Sequence, residues 1–107
     1  MITASGNGSL EVYFDRPQKV IRGYIKITNS STDGTRNWRI CVVKGSTEML
    51  LTDDIPATAN EVKHIYLTSE FIVSNLEKLK IYDTAGIDAT GDAIFVALQT
   101  EGFEKVV

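Results

Sequence analysis

The chain has 107 residues and a mass of 11.8 kDa, with 43% hydrophobic and 23% charged residues, a formal net charge of −3 and a pI near 5.0. That length leaves room for one core, so a single domain over residues 1–107 is expected. The acidic balance argues against general nucleic-acid binding, no apolar run approaches the roughly 20 residues of a membrane helix, and a lone cysteine, Cys41, rules out an internal disulfide.

Val, Ile and Thr total 31 residues against 14 for Ala and Leu, and β-branched side chains suit a pleated surface better than a helix. Residues Ile2 to Gly8 carry neither the basic start nor the apolar stretch of a secretory signal, so the product is expected either to stay in the cytoplasm of the producing cell or to have had a signal trimmed ahead of Met1. Period-two alternation then marks the strands. In Ser9 to Asp15, Leu10, Val12 and Phe14 share one face. From Lys19 to Asn29, Ile21, Gly23, Ile25 and Ile27 face one way, and Val20, Arg22, Tyr24, Lys26 and Thr28 the other. From Arg36 to Lys44, Trp38, Ile40 and Val42 alternate with Asn37, Arg39, Cys41 and Val43, which puts the indole of Trp38 on the buried face.

The linker 29–35 is rich in turn formers, including Asp33-Gly34, and predicts that the strands on either side form a hairpin. Lys44-Gly45-Ser46 reads as a second turn, Thr47 to Thr52 as a short strand, and Asp53 to Asn60, with Pro56, as a loop. Glu61 to Leu67, Lys78 to Asp83 and Ala93 to Thr100 complete the strands. Ser69 to Leu79 is irregular or a single helical turn, because Ile72, Leu76 and Leu79 have helical spacing beside the β-prone Phe71-Ile72-Val73. Short strands at roughly ten-residue intervals without long helices predict an all-β, antiparallel β-sandwich of jelly-roll type with about seven to eight strands.

Charge is unevenly distributed. Residues 1–44 carry a net charge of +4 and residues 45–107 one of −7. If strands of the two halves interleave, this asymmetry is absorbed on folding; if not, it orients head-to-tail contacts.

No nucleophile elbow, phosphate-binding glycine loop or zinc spacing occurs, so no enzyme is expected. His64, the only histidine, alternates with Val62 and Tyr66 as a structural or surface residue does. Cys41 has Arg39 on its strand face but no base to activate it. The acidic loop holding Asp83, Asp88 and Asp92 is the one candidate for a cation, calcium by its oxygen ligands; its spacing is not that of an EF-hand, so no cofactor is expected. The candidate binding patch is Arg22, Tyr24 and Lys26 on one strand, beside Asn37 and Arg39 on its expected hairpin neighbour, since aromatic and arginine side chains anchor both sugars and protein partners.

The runs Gly23-Tyr24-Ile25-Lys26-Ile27, Trp38-Arg39-Ile40-Cys41-Val42-Val43-Lys44-Gly45, His64-Ile65-Tyr66-Leu67-Thr68-Ser69-Glu70-Phe71, Leu76-Glu77-Lys78-Leu79-Lys80-Ile81-Tyr82-Asp83 and Thr90-Gly91-Asp92-Ala93-Ile94-Phe95-Val96-Ala97-Leu98 follow one another as the strands of jelly-roll carbohydrate-binding modules do. The order of features from Gly23 onward resembles those modules. Where they carry an acidic residue in the final strand, this chain has Phe95-Val96-Ala97. The pattern is similar also to small viral jelly rolls that serve as capsid, decoration and tail proteins. The resemblance implies a non-enzymatic role: first a structural or assembly protein of a virion, a capsid decoration or head or tail accessory protein, that self-associates or binds other virion proteins; alternatively a module that binds glycans. Neither nucleic acid nor membrane is expected as a partner.

Overall fold

Alternating β-branched stretches fold into strands that sort their side chains between an interior and two outer faces. The structure is a computed structural model that describes residues 1–14, 16–30, 36–74, 76–85 and 92–102. Among these lie ten strands: β1 (Ile2–Asn7), β2 (Ser9–Tyr13), β3 (Gln18–Thr28), β4 (Arg36–Lys44), β5 (Thr47–Leu50), β6 (Ile55–Ala57), β7 (Val62–Leu67), β8 (Phe71–Val73), β9 (Lys78–Asp83) and β10 (Ala93–Gly102). They form two antiparallel sheets packed together. Sheet A runs β1-β10-β3-β7 with β8 also on β3; sheet B runs β2-β9-β4-β5 with β6 also on β4.

The early strands pair with the late ones in reverse order. β1 lies on β10, β2 on β9, β3 on β7 and β8, and β4 on β5 and β6. β4 and β5 are joined as a hairpin that reverses between Lys44 and Thr47. Gly45, at a φ of 64°, supplies the positive angle that a two-residue turn needs at its first position. Gly8, at a φ of 77°, turns the chain from β1 in sheet A to β2 in sheet B.

Between the sheets lies one core. Leu10, Val12 and Phe14 meet Val20, Ile25, Ile27, Trp38, Ile40, Val42, Leu67, Val73, Leu79, Ile81, Ile94, Val96 and Leu98 there. Each fully buried aliphatic side chain in such a core contributes about 1.5–3 kcal/mol relative to exposure. Trp38 is wholly buried, as its parity predicts.

Several expectations change. β3 and β4 do not form a hairpin: both edges of β3 are taken by β10 and by β7 with β8, and those of β4 by β9 and by β5 with β6. Each long strand has an apolar inner face, so the two stabilise the fold best as central strands of opposite layers. Val20 does not share the outer face of Tyr24 but is fully buried. A β-bulge shifts the register between Gln99 and Thr100, so that Gln99 opposes Arg22 while Thr100 opposes Val20, and the parity below Arg22 is reversed. Ser69 to Leu79 opens with the strand β8, and its turn is closed by the Glu77 amide donating to the Ser74 carbonyl at 3.0 Å. The loop Asp53 to Asn60 contains β6, where Pro56 is tolerated on an edge strand. With β1, these short strands raise the count above seven to eight.

Candidate functional site

The two outer faces differ in how their polar and aromatic groups are matched. On sheet B, Tyr82 donates to Glu48 (2.7 and 2.8 Å), with the Lys80 ammonium 4.4 Å above its ring centroid. Arg39 pairs with Asp54 at 3.0 Å and Glu48 at 3.3 Å, and Lys78 pairs with Glu11 at 3.1 Å. The hydroxyl of Tyr13 donates to Glu11 at 2.7 Å. Hydrogen bonds from Tyr13 and then Lys78 hold the Glu11 carboxyl below the ordinary carboxylate range, and Arg39 does the same for Asp54. Cys41 is buried within this face, and that burial, with the Glu48 charge, pushes its thiol up and away from the reactive thiolate.

On sheet A the aromatic rings pack on one another instead. Strand register sets Tyr24 of β3 directly between Tyr66 of β7 and Ala97 of β10, and Lys26 between His64 and Phe95. The Tyr24 ring lies 5.3 Å from Tyr66, 6.4 Å from Phe95 and 5.9 Å from His64, the last nearly parallel at 15°. The Tyr24 hydroxyl and His64 Nδ1 are 2.7 Å apart. Tyr66 remains 69% exposed and Phe95 40%. Because Ala97 is short, the strip dips beside Tyr24 into a shallow cavity of about 250 Å³ lined by Arg22, Tyr24, Tyr66, Thr68, Ala97 and Gln99, among others.

Two cations on this face lack partners, whereas Lys19, at the far end of β3 opposite Glu101, pairs with Glu70 at 3.1 Å. Neither Arg22 nor Lys26 has a carboxylate within ion-pair distance among the described residues. The rows from Met1, Gln99 and Arg22 down to Thr28 and Val62 present no acidic side chain outward. Of the expected patch, therefore, Arg22, Tyr24 and Lys26 come together, while Arg39 lies on the opposite face of the molecule, within the sheet B ion pairs. The separation follows from β3 and β4 belonging to different sheets. Tyr66 and Phe95 were the missing members: their alternation marks them as outward, but only the pairing of β7 and β10 with β3 brings them to Tyr24.

Two of the cation candidates occupy a different environment. Asp83 and Asp92 are buried around the equally buried guanidinium of Arg36. Asp92 accepts from Arg36 Nη2 and, through its other oxygen, from the Ser30 amide at 2.8 Å and hydroxyl at 3.0 Å. Asp83 Oδ2 lies 2.9 Å from Arg36 Nε, and its other oxygen accepts from the Ala85 amide at 3.0 Å. The guanidinium carbon is 5.2 Å from the Trp38 ring centroid. Arg36 thus supplies the positive charge that a cation would bring to these carboxylates. Asp88 lies outside the described residues. Arg36 shares the inward parity of Trp38, and that parity was the sequence signal for a buried charge needing buried partners.

Comparison with protein-family models, curated proteins and solved structures finds no match for this chain. The geometry of the sheet A face carries the functional reading.

Proposed function

We propose that the chain is a non-catalytic jelly-roll recognition module that makes its specific contact through the outer face of sheet A, as a structural component of a larger assembly such as a virion head or tail accessory protein. The reverse-order pairing of strands, wound into two layers, supports the jelly-roll reading. The observation that carries the binding role is the contrast between the faces: sheet B pairs Arg39, Lys44 and Lys78 with carboxylates and lays Lys80 over the Tyr82 ring, whereas sheet A leaves Tyr24, Tyr66 and Phe95 beside Arg22 and Lys26, which have no ion pair among the described residues. Exposed Tyr and Arg at the centre of a patch form the composition of binding hot spots. A second setting, a carbohydrate-binding module, uses the same face and is favoured by the cavity beside the Tyr24 and Tyr66 rings.

Paired substitutions test the reading. Tyr66→Ala on sheet A and Lys80→Gln on sheet B leave the fold intact by circular dichroism. Sedimentation of the chain mixed with candidate assembly proteins, together with a glycan array, then shows whether contact is lost with the first variant alone. Equal loss with both, or with neither, rejects the face.

A further inference from the structure

The charge balance of the sheet A face constrains what it can hold. In a chain of net charge −3, this face gathers two cations without partners and shows no outward acid across its upper rows. Arg22 and Lys26 are four residues apart on the same side of β3, so their backbone positions are separated by about 13 Å with Tyr24 midway. Beside the rings lie neutral hydrogen-bonding groups: Gln99 and Thr68 at the cavity, and Thr3 and Ser5 outward on β1, opposite Ala97 and Phe95. The occupant that matches is therefore sparsely anionic, rich in hydroxyls and built of rings with an apolar face.

We infer that the sheet A face binds an acidic polysaccharide, with a sugar ring stacked at Tyr66 and Tyr24, negative groups on successive parts of the chain paired with Arg22 and Lys26, and hydroxyls bonded to Gln99 and Thr68. The inference rests on this face being the working surface. A second copy laid face to face is disfavoured, because Arg22 and Lys26 would meet like charges. Single-stranded nucleic acid also stacks on exposed aromatics, but it carries a charge on every nucleotide and needs a denser basic track than two cations on an acidic protein. An acidic sugar polymer needs only the spaced charges present here. Arg22 is the stronger contact, because its guanidinium can take a carboxylate in two parallel hydrogen bonds.

The experiment titrates the full chain with polygalacturonate, with neutral dextran and with oligothymidylate, in wild type and in Arg22→Gln, Lys26→Gln, Tyr66→Ala and Lys80→Gln. Expected is binding to polygalacturonate that falls at least about tenfold with Arg22→Gln or Tyr66→Ala, falls less with Lys26→Gln, weakens with added salt and is unchanged by Lys80→Gln. Dextran and oligothymidylate are expected to bind at least about tenfold more weakly. Dextran bound as well as polygalacturonate, or oligothymidylate preferred, overturns the acidic-sugar inference, while sensitivity of that binding to Tyr66→Ala would still uphold the face. Binding indifferent to every sheet A substitution overturns both, and no binding to polygalacturonate overturns the inference alone.

Discussion

Trp38 and Arg36 show how single residues on β4 set the interior. Trp38 is wholly buried in the core beneath the Arg36 guanidinium, and its indole nitrogen has no hydrogen-bond partner among the described residues, so it contributes through packing and its ring face. Trp38→Ala removes that contact area and leaves a cavity, and should destabilise the fold by about 3–5 kcal/mol, read as a lower midpoint in chemical denaturation. A midpoint equal to wild type would remove Trp38 from the core. Arg36, two residues earlier, is the sole cation between buried Asp83 and Asp92 among the described residues. Arg36→Ala strands two carboxylates away from water, and removing one partner of a buried ion pair typically costs about 3–5 kcal/mol. Denaturation of Arg36→Ala should show a loss of that order, whereas removing the exposed, unpaired charge of Arg22 with Arg22→Gln should shift stability by less than about 0.5 kcal/mol.

At the scale of strands, protection should follow position in the sheets. β3 and β10 are hydrogen-bonded to neighbours on both sides over most of their length, while β5, β6 and β8 are short pieces at the edges. Amide hydrogen exchange should therefore be slowest in Ile25, Ile27, Ile94 and Val96 and fastest in Glu48 to Leu50; the reverse order would contradict the pairing. Much of this layer was legible in the sequence. Alternation gave β4 and β9 with their observed ends, and the inward faces of β2 and of β3 beyond Arg22, because burial on one side of a strand imposes period two. β1 was not legible, since of its inward positions, Ile2, Ala4 and Gly6, only the first is a large apolar residue, too little to announce a buried face. An added Cβ at Gly6 would come within 2.8 Å of the Ser9 carbonyl oxygen. Partner choice was also silent, because a strand with one apolar face carries no record of which strand lies beside it. That silence split the expected patch: Tyr24 found Tyr66 and Phe95, and Arg39 went to the far face.

Across the whole molecule, the charge asymmetry between halves of the sequence resolves through the winding. Lys19, Arg36, Arg39 and Lys44 of the first half each pair with carboxylates of the second, namely Glu70, Asp83 and Asp92, Glu48 and Asp54, and Glu77. Arg22 and Lys26 are cations of the first half that this pairing leaves on sheet A. Because Arg36 already neutralises Asp83 and Asp92, chelation with EDTA should leave the thermal midpoint unchanged; a fall of many degrees reversed by calcium would place a structural cation in the molecule.

The four tyrosines divide evenly between the outer faces, Tyr24 and Tyr66 on sheet A and Tyr13 and Tyr82 on sheet B, and so provide a direct reporter of which face is used. The decisive measurement is fluorine NMR of the chain labelled with 3-fluorotyrosine, its four signals assigned by Tyr→Phe substitution, during titration with polygalacturonate. Shifts confined to the Tyr24 and Tyr66 signals are the result predicted here. Shifts of Tyr13 and Tyr82 with Tyr24 and Tyr66 unmoved would contradict it, placing the contact on the ion-paired face of sheet B.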